Sequence, residues 1–313
     1  MTKPDVLMVG PYPDWETPLL ERDYVLHRLW LAPDRAKFLR EVGPSIRAIA
    51  THGGAGASAE LIDACPKLEI IACFGVGFDA IDLDRAKARG VRVTNTPEVL
   101  TEDVADMAFA LILASYRRIV EGEAFVRSGA WKKGGLPLGR SLAGKTLGII
   151  GYGRIGRAIS RRAPAFAMDV AYCDLARDPR STHAFYPDPV SLAHASDILV
   201  AAAAGGAATR NLVNGPVFDA LGPEGLFVNI SRGTVVDEAA LVAALQEKRL
   251  GAAALDVFWN EPNIDERFLK LDNVIVQPHQ ASGTVETRKA MGQLVRDNLT
   301  AHFAGKPLPT PVI

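Results

Sequence analysis

Apolar residues along the chain fall in short runs, separated by stretches in which polar and apolar residues alternate at helical spacing. The early runs are Val6–Val9, Arg47–Thr51, Leu68–Phe74 and Val91–Asn95. They are almost wholly apolar, as strands buried on both faces must be. Between them, Asp34–Glu41, Ala57–Ala64 and Ile81–Arg89 carry the helical spacing. This alternation predicts a mostly parallel sheet with helices on both faces.

A long helix is predicted over TEDVADMAFALILASYRRI, with Thr101 as its N-cap and Glu102 and Asp103 at the positive end of its dipole. Its middle, Met107 to Ala114, is apolar all round, so the helix is expected to be buried between domains or against a second subunit. A Gly- and Lys-rich arm follows, from Ser128 to Arg140. A second strand–helix series then begins, with strands at Lys145–Ile150, Met168–Cys173, Asp197–Ala202, Gly225–Ile230, Ala252–Phe258 and Asn273–Gln277. The last helix, Val285 to Ala304, stops at Gly305 with Pro307 beyond it. No solenoid repeat is visible.

Length and composition narrow the picture. A chain of 313 residues suggests two domains. With 35 basic and 36 acidic residues, nothing advertises a nucleic-acid surface. Three cysteines, Cys65, Cys73 and Cys173, without paired C-x-x-C spacing argue against a disulfide framework or structural zinc. They read as buried thiols in a reducing compartment. The longest apolar run, Ile198 to Ala208, is far short of the roughly 20 residues a membrane helix needs. The N-terminus lacks the pattern of a signal peptide, and a cytoplasmic protein is expected.

The clearest motif is Gly151-Tyr152-Gly153-Arg154-Ile155-Gly156, between the strand KTLGII and the helix RAISRRA. The first glycine permits a tight turn, the second lets a pyrophosphate approach the backbone, and the third lets helix and strand pack closely. The helix N-terminus offers its N–H groups to the phosphates. Asp174 ends the next strand, 18 residues after Gly156, where a carboxylate can hold a ribose hydroxyl. These parts together predict dinucleotide binding. A carboxylate there repels a 2′-phosphate and favours NAD, while Arg177 and Arg180 either swing in to accept that phosphate or lie on a solvated loop.

Arg232, Glu261 and His279 stand at the ends of three later strands. Alone, each has a plainer reading, as a surface cation, a turn residue and a core histidine. In open α/β sheets ligands bind beyond the carboxyl ends of the strands, so the three can converge. A guanidinium holds a carboxylate bidentately and polarises a neighbouring carbonyl. An imidazole passes a proton to and from an alcohol oxygen, and a carboxylate beside it stabilises the imidazolium. With a nicotinamide opposite, this is a site for hydride transfer to a 2-oxo acid.

The motifs GYGRIG, NISRG, LDVFWNEP and PHQASGTVETR resemble those of the D-isomer-specific 2-hydroxyacid dehydrogenases, in particular the glyoxylate/hydroxypyruvate reductase branch. The resemblance covers nearly the whole chain. It implies two doubly wound parallel-sheet α/β domains with a cleft between them. One, flavodoxin-like and substrate-binding, is discontinuous, over 1–98 and 285–313. The other, over 99–284, is a Rossmann cofactor domain. It implies NAD(P), a small 2-oxo or 2-hydroxy acid substrate, a homodimer formed through the cofactor domains, and no nucleic-acid or membrane partner. It casts Arg232, Glu261 and His279 as the catalytic triad, with Arg232 and His279 also touching substrate and cofactor. It places Asp256 against the nicotinamide carboxamide and has Ala203, Ala204, Thr209, Ile230 and Ser231 line the cofactor. Gly75-Val76-Gly77 resembles a loop whose backbone N–H groups hold the substrate carboxylate, and two glycines around Val76 permit such a nest. His52-Gly53 reads as a strand-end turn, or by resemblance as a substrate-side loop. Trp131 resembles a tryptophan reaching a partner's site, or is interface packing.

The chain departs from the family pattern at three places. Ala204 stands near a usual proline. Gln280-Ala281 replaces a frequent Ile-Gly, and its amide either binds a hydroxyl of a longer, sugar-like substrate or pairs with backbone. Asp174-Leu175 lacks the polar-then-Arg pair of NADPH-preferring members, which leans the choice toward NAD. A dinucleotide-sensing corepressor-like protein shares fold and triad and is the competing reading. A related formate dehydrogenase would carry Gln where Glu261 stands.

Overall fold

The computed structural model describes residues 3–313, which divide into two compact units. One contains the chain up to Leu100 together with Thr284–Ile313, and the other is Thr101–Gly283.

The first unit is built on five parallel strands, β1 (Asp5–Met8), β2 (Val25–Arg28), β3 (Ile46–His52), β4 (Ile70–Phe74) and β5 (Arg92–Thr94). Their order, β2-β1-β3-β4-β5, is the flavodoxin-like one. Helices α1 (Glu16–Glu21), α2 (Arg35–Val42), α3 (Ala59–Asp63) and α4 (Leu83–Ala88) connect them. The C-terminal helix α11 (Val285–Phe303) packs beside β4. The core joins Leu7, Ile46, Ile49, Ile71 and Val93 from four strands to Ile62 and Ala86 from the helices. Thr284 caps α11 by accepting the Thr287 N–H, and Gly305 ends it in the left-handed region. Buried Glu16 of α1 is ion-paired with Arg296 of α11, which satisfies a carboxylate that burial would otherwise penalise.

The second unit holds seven parallel strands in the order β12-β11-β10-β9-β6-β7-β8. They are β6 (Thr146–Ile150), β7 (Asp169–Cys173), β8 (Ala184–Tyr186), β9 (Ile198–Ala201), β10 (Leu226–Asn229), β11 (Ala252–Leu255) and β12 (Val274–Val276). The order reverses between β6 and β9, the topological switch point of a doubly wound sheet. Helices α7 (Arg154–Arg162), α8 (Pro189–His194), α9 (Gly215–Leu221) and α10 (Glu238–Gln246) cover it.

Helix α5 (Thr101–Tyr116) packs against α7, β10 and β11, with Phe109 stacked on Phe166 at 5.0 Å. The predicted helix through Ile119 instead ends at Tyr116: Arg118 takes a left-handed φ of 51°, and α6 (Ile119–Arg127) starts a new helix. Thr101 is the first helical residue rather than the cap. The arm after α6 returns to Tyr116, whose carbonyl accepts the Arg140 N–H at 2.7 Å.

Two strands, β2 and β8, had no counterpart in the sequence pattern. Both are edge strands with only partly buried or exposed residues, so neither carries the wholly apolar run that marks the central ones.

Candidate active site

The glycine motif occupies the switch point. Gly151 has a φ of 90°, and a Cβ there would lie 2.6 Å from the Ala203 N and Cα. A Cβ on Gly156 would meet the Gly151 carbonyl at 2.2 Å. A Cβ on Gly153 would meet nothing within 4 Å, so the space above that peptide is open. Helix α7 then begins without a side-chain cap, and its first N–H groups are available to an anion. Tyr152 is buried, stacks on Tyr172 at 4.1 Å and is hydrogen-bonded through its hydroxyl to Ser160. The residues present therefore fit a dinucleotide pyrophosphate: close packing below, open space and N–H groups above.

Asp174 follows β7 as expected, and its carboxylate does more than the sequence suggests. One oxygen accepts the Tyr152 N–H at 2.7 Å and the other the Leu175 N–H at 2.7 Å, so Asp174 ties its own turn to the glycine loop. Arg180 and Arg157 are both paired with Asp178. Arg177 is exposed. Ala203 and Ala204 follow β9, and Thr209 donates its hydroxyl to the Ala204 carbonyl at 2.6 Å. Ile230 and Ser231 are buried after β10, with the Ser231 N–H and hydroxyl both donated to the Asn229 side chain.

Three neighbouring strands deliver the charged trio. Arg232 follows β10, and its carbonyl accepts from Asn229 Nδ2 at 3.0 Å. Asn229 was not singled out from sequence; its polar side chain ending an otherwise apolar strand is the available signal. Glu261 lies in the turn after β11 and His279 beyond β12. Glu261 Oε1 accepts the Phe258 N–H at 2.8 Å, while Oε2 is 2.6 Å from His279 Nδ1. A carboxylate accepts, so Nδ1 carries the proton and Nε2 is the nitrogen left for proton exchange. Burial pushes the Glu261 carboxyl up, but the hydrogen bond and charge of His279, with help from Arg232, bring it below the ordinary value.

Asp256, which the resemblance places against a nicotinamide carboxamide, is fully buried. Its oxygens accept the Gln280 and Ala281 N–H groups at 2.7 and 2.9 Å, and its carbonyl accepts the His279 N–H at 2.8 Å. Three consecutive N–H groups thus wrap on one residue and hold His279 at a left-handed φ of 54°. Burial raises the Asp256 carboxyl, opposed by these N–H groups.

In the other unit, His52-Gly53 and Gly75-Val76-Gly77 follow adjacent strands, β3 and β4. They are neighbours: a Cβ on Gly75 would lie 3.6 Å from the Gly53 N. The Gly75 N–H already donates to Thr96 Oγ1 at 3.0 Å, so the anion nest reduces to the Val76 and Gly77 N–H groups. Thr96 and Asn95, which bonds the Val76 carbonyl, are supports that the sequence did not reveal.

A doubly wound sheet with a glycine loop at its switch point, and a His–carboxylate pair and an arginine at its strand ends, defines a dinucleotide-linked dehydrogenase. The family model for the D-isomer specific 2-hydroxyacid dehydrogenase NAD binding domain matches residues 109–281. The chain is 50% identical to a hydroxyphenylpyruvate reductase of Plectranthus scutellarioides, over 98% of each chain. It is 49% identical to a 2-ketogluconate reductase of Gluconobacter oxydans, over 100% of this chain and 99% of that one. Among solved structures, an NADPH-dependent glyoxylate/hydroxypyruvate reductase of Sinorhizobium meliloti, in complex with NADP and malonate, superposes with a TM-score of 0.92 at 41% identity, covering 99% and 97% of the two chains. The chain belongs to the D-isomer specific 2-hydroxyacid dehydrogenase family.

Proposed function

We propose that this protein reduces a small 2-oxo acid to the D-2-hydroxy acid with NAD(P)H. The observation that carries the reading is the 2.6 Å pairing of His279 Nδ1 with Glu261, beyond the ends of β12 and β11, with Arg232 beyond the end of β10 next in the same sheet, whose switch point fits a dinucleotide. The relatives named above are reductases of 2-oxo acids, and the chain matches them end to end.

The Gly151–Gly156 loop and the first turn of α7 hold the pyrophosphate, and Ala203, Ala204, Thr209, Ile230 and Ser231 form the continuing wall. Reduced nicotinamide, when bound, supplies the hydride that the carbonyl carbon accepts. Arg232 takes the substrate carboxylate through its planar fork and polarises the carbonyl. His279 donates the Nε2 proton to the carbonyl oxygen, and Glu261 fixes the ring and balances its charge. In the first unit, the Val76 and Gly77 N–H groups form an anion nest for a substrate, and His52-Gly53 flanks them. Asp174 opposes a 2′-phosphate by like charge, and Asp178 already occupies Arg157 and Arg180, so NAD is favoured and Arg177 is the cation available for NADP.

The same reading includes a homodimer. Ile119, Val120 and Val126 of α6, with Trp131 and Leu138 of the arm, are large apolar residues more than half exposed, and a second copy would cover them. Cys65, Cys73 and Cys173 are buried and not joined in a disulfide, in keeping with a cytoplasmic setting. Among the described residues, no helix is long and apolar enough to cross a membrane.

The test is oxidation of NADH and of NADPH with glyoxylate, hydroxypyruvate, hydroxyphenylpyruvate and 2-ketogluconate. Turnover with at least one is expected. Dinucleotide binding without turnover on any of them would refute the reading.

A further inference from the structure

Close to the catalytic trio lies a second carboxylate that no step above uses. Glu238 opens α10, but the helix is capped by Asp237, whose side chain accepts the Ala240 N–H. Glu238 is released for another task. Its Oε1 accepts the Trp259 N–H at 2.8 Å. The preceding N–H, that of Phe258, goes to Glu261 Oε1 at 2.8 Å. Two successive peptide N–H groups of one turn are thus held by two carboxylates.

The same turn is fastened twice more. The Trp259 indole N–H donates to the Val236 carbonyl at 2.7 Å. Gly233 abuts the turn so closely that a Cβ there would lie 2.0 Å from the Phe258 carbonyl carbon and 2.4 Å from the Trp259 N. The segment starting beside Arg232 and the turn carrying Glu261 are therefore joined at three points. On the outside, Arg210 places its guanidinium 4.7 Å from the centre of the Trp259 ring, and the Asn211 N–H bonds the Thr234 carbonyl at 3.0 Å. The stretch after the cofactor-side residue Thr209 is tied into the same knot.

We propose that Glu238 is a positioning residue: by clasping the Trp259 peptide it aims the Phe258 N–H at Glu261, and so keeps the Glu261 carboxylate on His279. The inference rests on the reductase reading for its kinetic consequences, though not for its geometry. Glu261 bridges two partners, and it holds both only while the Phe258 peptide keeps its direction. That peptide adjoins the Trp259 peptide through one Cα, so loss of the Glu238 acceptor frees both. Burial raises the Glu238 carboxyl, and the nearby Asp265 and Glu261 charges add to this, with the Trp259 N–H opposing. Placing two like charges in one turn is unfavourable unless each has its own donor, and here each does.

The experiment compares Glu238→Gln, which keeps an acceptor oxygen, with Glu238→Ala, which does not. Each is assayed for kcat and KM with glyoxylate across pH, and His279 ring signals are followed by NMR titration. For Glu238→Ala we expect kcat at neutral pH to fall about tenfold, the alkaline limb of the profile and the His279 titration to move to lower pH, and the dinucleotide KM to stay within about twofold. Glu238→Gln is expected to stay within about twofold of wild type throughout. Trp259→Phe, which keeps the ring under Arg210 but drops the indole N–H, should move the limb in the same direction and is the substitute if Glu238→Ala does not fold. An unmoved limb and ring titration in Glu238→Ala, or in the substitute, would overturn the proposal, as would Glu238→Gln matching Glu238→Ala. Wild-type turnover in the same assay tests the reductase reading, and the NMR titration tests the clasp without it.

Discussion

Replacing Glu261 by Gln removes one charge and almost no volume, so it isolates what the carboxylate does for His279. In the native turn both Glu261 oxygens accept, one from the Phe258 N–H and one from His279 Nδ1. An amide has one acceptor and one donor end. If its oxygen stays on Phe258, its NH₂ faces Nδ1, which must then be unprotonated, and the imidazolium loses its partner. If the amide flips, the NH₂ meets the Phe258 N–H and a donor is stranded. A hydrogen bond to a charged group contributes about 1.5–3 kcal/mol. The Glu261 and His279 side chains are 33% and 40% exposed, so solvent screening favours the lower end of that range. About 1.5 kcal/mol corresponds to roughly tenfold in rate. The assay is kcat for glyoxylate reduction at saturating dinucleotide, from about pH 5 to 9, a range chosen to bracket ordinary imidazole titration. Glu261→Gln should lower kcat roughly tenfold at neutral pH and shift the alkaline limb downward, because less imidazolium survives at a given pH. Dinucleotide KM should stay put, since the glycine loop is untouched. An unmoved alkaline limb with kcat within twofold of wild type would refute the assigned pairing.

Arg232→Lys should raise substrate KM and lower kcat together, because an ammonium lacks the planar fork; kcat/KM near wild type would count against the clamp. Asp174→Ala should weaken NADH use by freeing the Tyr152 N–H and the ribose, and should shift the kcat/KM ratio toward NADPH; an unchanged ratio would remove Asp174 from the ribose site. Asp197 joins Lys145 and the Thr146 N–H, which bring its carboxyl below the ordinary value despite burial. A lowered folded-state value means that the stabilisation is complete above the ordinary aspartate range of about 4 and is lost as pH falls through the folded-state value. The melting-temperature gap between wild type and Asp197→Asn should therefore be level from neutral pH to about 5 and close in more acidic solution; a gap that persists unchanged into acid would contradict it.

Much of this protein was written in local pattern. Central strands such as β4 and β9 are apolar throughout because both faces are covered, and that marks them in any sequence. Glycine spacing encodes the switch-point loop because each glycine answers a steric demand made by residues close in the chain or on the next strand. The charged residues at strand ends were visible for the same reason: strand ends can be counted. What the sequence could not show are tasks assigned by partners distant in the chain. Asp256 reads as a site carboxylate, and nothing in its neighbourhood along the chain shows that its oxygens also hold the turn that presents His279. Arg180 reads as a cation that could fold over a phosphate, yet it pairs with Asp178, which also takes Arg157. Glu238 was not singled out from the sequence; it lies in the first turn of α10, and its oxygen reaches Trp259, 21 residues on. The edge strands β2 and β8 left no apolar run because only one neighbour and part of a layer cover them. Periodicity records how deeply an element is buried, whereas a polar atom's partner depends on which segments the fold brings within about 3 Å of it, and only the tertiary structure sets that distance.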